Sequence, residues 1–178
     1  GRGVTAMETR DEDFVKHLFE ASSKDYLLIF SNQGMVYWLK VYEIPIASRV
    51  AKGKAIVNLL SLNPSETISR YLQVKEFDDK RYVLMATKNG IIKKTNLIHY
   101  SRPRASGINA ITLREKDELE ACKITSGKDE IFLATHEGKA IRFPEKQVRD
   151  MGRTASGVRG IRLGKKDELI AMEIVDAN

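Results

Sequence analysis

The chain has 178 residues, of which 42% are hydrophobic, and its 30 Lys and Arg against 24 Asp and Glu give a formal net charge of +6. These values describe an ordinary folded protein with a moderate basic excess, which suits a polyanion such as nucleic acid without requiring one. The single cysteine, Cys122, excludes an internal disulfide and a cysteine-based zinc site, and because no signal peptide or apolar run near ~18 residues is present we expect a cytoplasmic protein without membrane contact.

The sequence repeats itself at a constant offset. Residues 3–7 (Gly-Val-Thr-Ala-Met) align with 107–111 (Gly-Ile-Asn-Ala-Ile), and the same offset places Gly34 on Gly138. A middle copy lies between these two, so the unit is about 50 residues long, a period typical of propellers and other arrays. We predict a single domain over residues 1–178, built from units at 1–46, 47–101, 102–148 and an incomplete 149–178.

Residues 11–20, near the amino terminus, have the pattern of a capped amphipathic helix. The repeat aligns Phe14 and Val15 with Glu118 and Leu119, which stand where a turn leads into a strand. Because the offset runs through this segment without a gap, we predict a strand there rather than a helix.

Each unit then contains two apolar runs joined by a short polar turn that ends in glycine. Such runs predict β-hairpins, since glycine readily takes the positive φ that the turn requires. The hairpins are predicted at 26–39, 82–95 and 131–143, with Gly34, Gly90 and Gly138 in their turns.

A second pair of strands follows each hairpin. The segments 53–59, 107–113 and 157–163 begin with glycine and place apolar residues at nearly every second position, which predicts half-buried strands. Charged turns follow at 116–118 and 166–168, predicted to be solvated, and apolar strands begin at Leu119 and Leu169. Residues 63–81 are predicted to be a surface loop. Four strands per unit make a propeller blade, so the predicted fold is all-β.

No arrangement of residues in the chain predicts catalysis. A phosphate-binding P-loop is absent, and the three histidines lack the spacing of metal ligands. Tyr82 aligns with Tyr26 at the start of a repeated strand, which favours packing over a nucleophilic role. Cys122 is most simply a small core residue. We therefore predict no active site, no metal site and no cofactor in this chain.

Arginine precedes the glycine that opens each alternating segment. One such loop is a common solvated feature, but equivalent loops of a propeller share a rim, and a basic rim predicts phosphate contacts with duplex DNA. Few aromatic residues lie outside the strands, which disfavours stacking on single strands. Trp38 is expected to be packed or half-buried. The predicted contacts are Arg2, Arg49, Lys52, Lys54, Arg102, Arg104, Arg153 and Arg159, with Lys93, Lys94, Lys139 and Arg142 second.

Several of these segments resemble one family. Residues 37–42, 51–60, 85–90 and 157–163 are similar to the C-terminal domain of the A subunit of bacterial DNA gyrase. The resemblance covers essentially the whole chain and implies a β-pinwheel, a propeller-like ring of six four-stranded blades that exchange strands, of which about three to four are expected here. Gly1, Arg2 and Gly3 match the last three positions of the family's Q-R-R-G-G-x-G signature, the gyrase A box, so the chain is expected to be a fragment that starts inside it.

The resemblance also implies a function. It predicts a non-catalytic module that binds and wraps double-stranded DNA without sequence specificity, in support of ATP-dependent negative supercoiling. The implied enzyme is a cytoplasmic, nucleoid-associated A2B2 heterotetramer of gyrase A and gyrase B, in which ATP and Mg would act outside this chain. Two alternatives remain open: the corresponding domain of topoisomerase IV, and a protein-binding β-propeller.

Overall fold

The computed structural model describes residues 24–44 and 56–176. Within these ranges the regular elements are strands and short 3-10 helices, and no helix there is long and apolar enough to cross a bilayer. The 3-10 helices are Val41–Glu43, Ile56–Leu59, Leu97–Tyr100 and Glu145–Gln147. The strands are β1 (Tyr26–Ser31), β2 (Met35–Lys40), β3 (Ile68–Val74), β4 (Tyr82–Thr87), β5 (Ile91–Asn96), β6 (Ile108–Asn109), β7 (Leu119–Thr125), β8 (Glu130–Thr135), β9 (Ala140–Pro144), β10 (Val158–Arg159) and β11 (Leu169–Val175).

The described residues fall into two compact units. The first reaches as far as Glu76 and includes Pro103–Ile108, and its strands belong to a sheet of order β3-β1-β2-β6, in which β1 pairs antiparallel with both β2 and β3. The β1–β2 hairpin turns at Gly34, whose φ of 81° favours glycine. Alternate apolar side chains of the hairpin pack against β3 and the Ile56–Leu59 turn. This core comprises Leu27, Ile29, Tyr37, Leu39, Ile44, Ile56 and Tyr71.

The second unit comprises Phe77–Arg102 and the chain from Asn109 onward. It contains two sheets, of order β10-β5-β4-β7 and β11-β8-β9. Both are built on the predicted hairpins, which turn at Gly90 (φ 88°) and Gly138 (φ 91°). One core joins the two sheets, and its fully buried members include Leu84, Ile131 and Leu133.

Two sheets receive their fourth strand from a distant, later part of the chain. In the second unit Val158 and Arg159 of β10 pair with Ile92 and Ile91 of β5. Gly157 makes this approach possible, because its φ is 95° and a Cβ there would lie 2.5 Å from the carbonyl oxygen of Ile92. The prediction of an all-β fold with propeller-like, strand-exchanging blades is confirmed.

The predictions for four segments were wrong in part. The alternating segments at 107–113 and 157–163 form strands of only two residues, and 56–59 is a 3-10 helix. The strand at 157–163 stops early because the amides of Gly160 and Ile161 both donate to the carbonyl of Gly90, 2.8 and 3.2 Å away, instead of continuing the ladder. The predicted loop at 63–81 contains β3, since the apolar side chains of Tyr71, Leu72 and Val74 are buried there and outweigh the acidic residues at its ends.

The charged turns before β7 and β11 are not simply solvated. Asp117 and Asp167 are buried, and each accepts two backbone N–H bonds at the turn, from Asn89 and Glu118 and from Glu137 and Glu168 respectively. The carboxylates thus tie each turn to the hairpin of its own sheet, while the neighbouring glutamates are exposed.

Several assignments of single residues are confirmed. Tyr82 begins β4, while Cys122 in β7 and Trp38 in β2 are buried. The predicted strand at 11–20 lies outside the described residues.

Candidate nucleic-acid interface

The predicted contact residues are placed very differently by the structure. Gly1, Arg2, Gly3, Arg49, Lys52 and Lys54 lie outside the described residues. Arg102 and Arg104 are exposed in the loop after Tyr100, as are Lys139, Arg142 and Arg159, while Arg153 is half-buried. Lys93 and Lys94 are buried at 0% and 6% exposure. Neither of these two can reach a phosphate in this structure, so they are removed from the candidate contacts.

Lys94 is buried because the chain after β9 lies over it. Its Nζ donates to the carbonyl of Glu145 at 3.2 Å, lies 3.6 Å from the Glu145 carboxylate and sits over the Tyr82 ring. Lys93 points elsewhere, toward the backbone carbonyls of Ala110 and Arg153. Burial, with the charge of Arg153 nearby, lowers the pKa of Lys93 to about 7.

The basic charge of the chain is concentrated in one stretch. Residues 139–166 contain nine Lys and Arg against two acidic residues, Glu145 and Asp150, which is a net +7 compared with +6 for the whole chain. Glu145 is fully buried and bonded to Thr125 and Asp129, so it offers no negative charge at the surface. We call this stretch the basic segment.

The two ends of the basic segment meet across a groove. Strand β9 borders the groove with Ile141, Arg142 and Phe143, and β10 borders it with Val158 and Arg159. Arg142 and Arg159, which are 17 residues apart in the chain, thereby line one surface. This is the clearest case in which the structure brings sequence-predicted contact residues together.

Polar bonds orient two basic side chains of the segment, one in the groove and one just before β9. The Nε of Arg142 donates to Glu130 on the neighbouring strand, and the Arg142 side chain remains 56% exposed. Lys139 donates from Nζ to the carbonyl of Arg162 at 2.5 Å, which ties the start of β9 to the chain after β10. The Nη groups of Arg142 remain available, because a guanidinium has five N–H donors and only Nε is used here.

The loop between β9 and β10 carries Arg153 and is fixed from two sides. From β5, the backbone of Lys94 bridges to Asp150, and its carbonyl accepts a bond from the amide of Met151 at 2.8 Å. From the chain after β6, the Thr112 hydroxyl donates to the carbonyl of Thr154 at 2.6 Å. The Arg153 guanidinium donates to the carbonyl of Asn109 at 3.2 Å. The loop therefore presents a defined backbone rather than a loose connection.

Other exposed basic residues of the segment were not predicted as contacts: Lys146, Arg149, Arg162, Lys165 and Lys166. A count of charge over windows of about 30 residues would have found them, because their density is visible in the sequence. The alignment of repeats drew attention to positions next to glycine instead.

The site offers charge and hydrogen-bond donors rather than reactive groups. Among residues 24–44 and 56–176 no cluster of His, Cys, Asp and Glu could hold a metal ion. Guanidinium groups along a groove, with further basic residues in the same segment, suit a polyanion, since they neutralise phosphates without reading bases.

Comparison with known proteins identifies the family of the chain. The model of the DNA gyrase C-terminal domain, beta-propeller, matches residues 1–22, 25–69, 81–126 and 129–176. The chain belongs to this family. It is 47% identical to the DNA gyrase A subunit of Salmonella typhimurium over 98% of its length, and 46% and 43% identical to those of Haemophilus influenzae and Staphylococcus aureus over 99% and 100%. It spans about 20% of the length of these curated relatives.

Solved structures show the same fold. A crystal structure of the C-terminal domain of DNA topoisomerase IV superposes with a TM-score of 0.75 at 28% identity, covering 96% of this chain and 55% of that one. A DNA gyrase A C-terminal domain superposes with a TM-score of 0.73 at 26% identity, covering 85% and 48%.

Proposed function

We propose that this gyrase-family domain binds double-stranded DNA through the phosphates, without sequence preference. The observation that carries the proposal is the basic segment, whose net charge exceeds that of the whole chain and whose arginines Arg142 and Arg159 line one groove. Binding is driven by release of counterions from the phosphates, so it depends on charge and spacing rather than on base sequence.

The wider proposal is that the domain wraps DNA for a supercoiling enzyme. The relatives carry the name of the DNA gyrase A subunit, so the parent protein would act with a gyrase B partner, using ATP, and catalysis would take place outside this domain. Smooth bending of a 20–30 bp site costs on the order of 1–6 kcal/mol, and several phosphate contacts are needed to offset that cost. The many basic residues of the segment supply such contacts.

A topoisomerase IV domain is the second candidate, and it is favoured only by the slightly higher TM-score of that structure. The higher sequence identities to the gyrase relatives favour gyrase. The two candidates are distinguished by assaying the full-length protein that carries this domain together with its partner protein and ATP. Negative supercoiling of a relaxed plasmid supports gyrase. Separation of linked circles without supercoiling supports topoisomerase IV.

Duplex binding is tested by titrating a 40-bp DNA with the chain over a range of salt. We expect log K to fall with log[salt] at a slope of about −4 to −7, near −0.9 per phosphate contact, with little difference between sequences. Arg142→Glu with Arg159→Glu should weaken binding about tenfold or more and make the slope shallower by about two.

Lys128→Glu is the matched control, since Lys128 is an exposed lysine of the same unit in the turn before β8. It should leave the slope almost unchanged. No binding at ~50 mM salt, or a slope near zero, contradicts the DNA proposal and favours a protein-binding propeller.

A further inference from the structure

Lys93 is a buried amine with an unusual pair of partners. Its side chain is fully buried in the middle of β5. The Nζ donates to the carbonyl of Ala110 and, at 2.6 Å, to the carbonyl of Arg153. Both acceptors are backbone groups of other segments rather than carboxylates. A lysine is rarely buried in this way unless the bonds it makes are needed.

The amine can hold both carbonyls in either charge state. An ammonium has three N–H donors and a neutral amine has two, so either form satisfies two acceptors. Two ionisable groups influence the Lys93 amine: the charge of Arg153 opposes its protonation, and a charge on Cys122 in β7 would favour it. The same two residues also influence the Tyr100 hydroxyl. A bound phosphate beside Arg153 would offset the repulsion between the two cations.

The partners of Lys93 identify what the amine holds in place. Arg153 belongs to the loop between β9 and β10, and Ala110 follows β6. These two segments also bond to each other, through Thr112 to Thr154 and through the Arg153 guanidinium to Asn109. Lys93 therefore bonds to both sides of a junction between two backbone segments, one of which carries Arg153 and continues to Arg159 in β10.

The equivalent positions of the other hairpins show that a blade does not require this lysine. The third residue after the turn glycine is Tyr37 in β2 and Ile141 in β9. Tyr37 donates to Glu66 and its ring lies against Gly107, whereas Ile141 is apolar and lines the groove. Within the part of the chain that the structure describes, neither position carries an amine or bonds to the backbone of a later loop, so the amine at 93 has a local purpose.

We propose that Lys93 is a positioning residue for DNA binding, which holds the β9–β10 loop from below so that Arg153 and Arg159 face a phosphate backbone at fixed spacing. The inference rests on the proposed function. It adds a residue that touches no DNA yet sets the geometry of those that do.

The test uses Lys93→Met, which keeps the side-chain length and removes the donors. We expect hydrogen exchange at the amides of 152–157 to become faster, the affinity for duplex DNA to fall about 3–10-fold, and the salt slope to become shallower by about one. Met85→Ala is the matched control, because Met85 is the buried cross-strand neighbour of Lys93 in β4, and its truncation removes core packing but no hydrogen-bond donor.

A mutant cycle with Arg153→Ala and Arg159→Ala together identifies the route of the effect. If Lys93 acts through this loop, Lys93→Met should change affinity much less in the background that lacks both arginines than in the original chain. Additive losses, or an unchanged affinity and exchange rate in Lys93→Met, overturn the inference while leaving DNA binding intact.

Thr112→Val keeps the test decisive if Lys93→Met does not fold. It removes an exposed bond to the same loop and should move exchange and affinity in the same direction by a smaller amount. Unchanged values overturn the idea that the loop's bonds position its arginines. Failure of the original chain to bind duplex DNA refutes the proposed function instead, and the exchange measurement still tests the positioning.

Discussion

Strands β5 and β9 carry a basic residue at equivalent positions, but the residue is buried in β5 and exposed in β9. The fourth residue after the turn glycine is Lys94 in β5 and Arg142 in β9. Each contacts the residue that begins the preceding strand: Lys94 lies over the ring of Tyr82, and Arg142 donates to Glu130. Yet Lys94 is buried and the Arg142 side chain is 56% exposed.

The difference arises from what covers each strand. Residues 145–151 lie over β5: the carbonyl of Glu145 accepts a bond from the Lys94 ammonium, and Asp150 forms a backbone bridge with Lys94. In addition, β10 pairs with the start of β5. Within residues 24–44 and 56–176, β9 has only β8 as a hydrogen-bonded neighbour. Equivalent positions in the repeat therefore occupy the same place in their hairpins. Their exposure depends on whether a later segment of the chain covers them.

The largest effect is expected from charge reversal at the covered position. Lys94→Glu places a second carboxylate beside Glu145 in a buried site, where neither can be solvated. The free energy of unfolding should fall by about 3–5 kcal/mol, as measured by urea denaturation. Arg142→Glu should change it by less than about 1 kcal/mol, because surface pairs contribute little. Equal losses of unfolding free energy in the two variants would show that Lys94 is no more buried than Arg142.

A smaller loss is expected where β10 meets β5. Gly157→Ala combines a φ of 95° with a contact of 2.5 Å to the carbonyl oxygen of Ile92, and should cost about 2–3 kcal/mol. Gly138→Ala is the control, because its φ of 91° is similar but nothing lies within 4 Å of the added carbon. It should cost only about 1 kcal/mol. If the Gly157→Ala variant is as stable as the Gly138→Ala variant, Gly157 does not lie as close to the backbone of β5 as described.

The smallest effect concerns pH. Because the pKa of Lys93 is about 7 in the fold and near 10.5 in the unfolded chain, the unfolded state binds more protons above pH 7. The contribution of Lys93 to stability should therefore increase from pH 7 to pH 8, by at most about 1.4 kcal/mol. Lys93→Met should remove this increase, as seen by denaturant unfolding at the two pH values. An identical pH dependence of stability in the original chain and in Lys93→Met would show that Lys93 does not titrate between pH 7 and pH 8.

Much of the fold could be predicted from sequence because it depends on local pattern. The hairpins follow from apolar runs and turn glycines, and the strands after Leu119 and Leu169 follow from the same reasoning. The short strands β6 and β10 could not be bounded, since their partners are dozens of residues away and β10 ends where the amides of Gly160 and Ile161 bond to the carbonyl of Gly90.

The candidate site could be predicted less well than the fold. The alignment correctly singled out Arg142 and Arg159 as exposed, but it treated Lys93 and Lys94 in the same way. Their burial depends on the position of the β9–β10 loop, which no local signal encodes. Charge density along 139–166 was the better guide, because it does not depend on which face of a strand each residue occupies.

The pairing of β10 with β5 also constrains how the chain acquires its structure. The β4–β5 hairpin is complete at Asn96, but its sheet gains its fourth strand only when Val158 and Arg159 arrive. During synthesis at about 5–20 residues per second, the edge of β5 stays unpaired for several seconds while the next hairpin emerges. Each of the two four-stranded sheets is thus completed by a strand from later in the chain, and an interruption before that strand is made leaves an edge open to pairing with another chain.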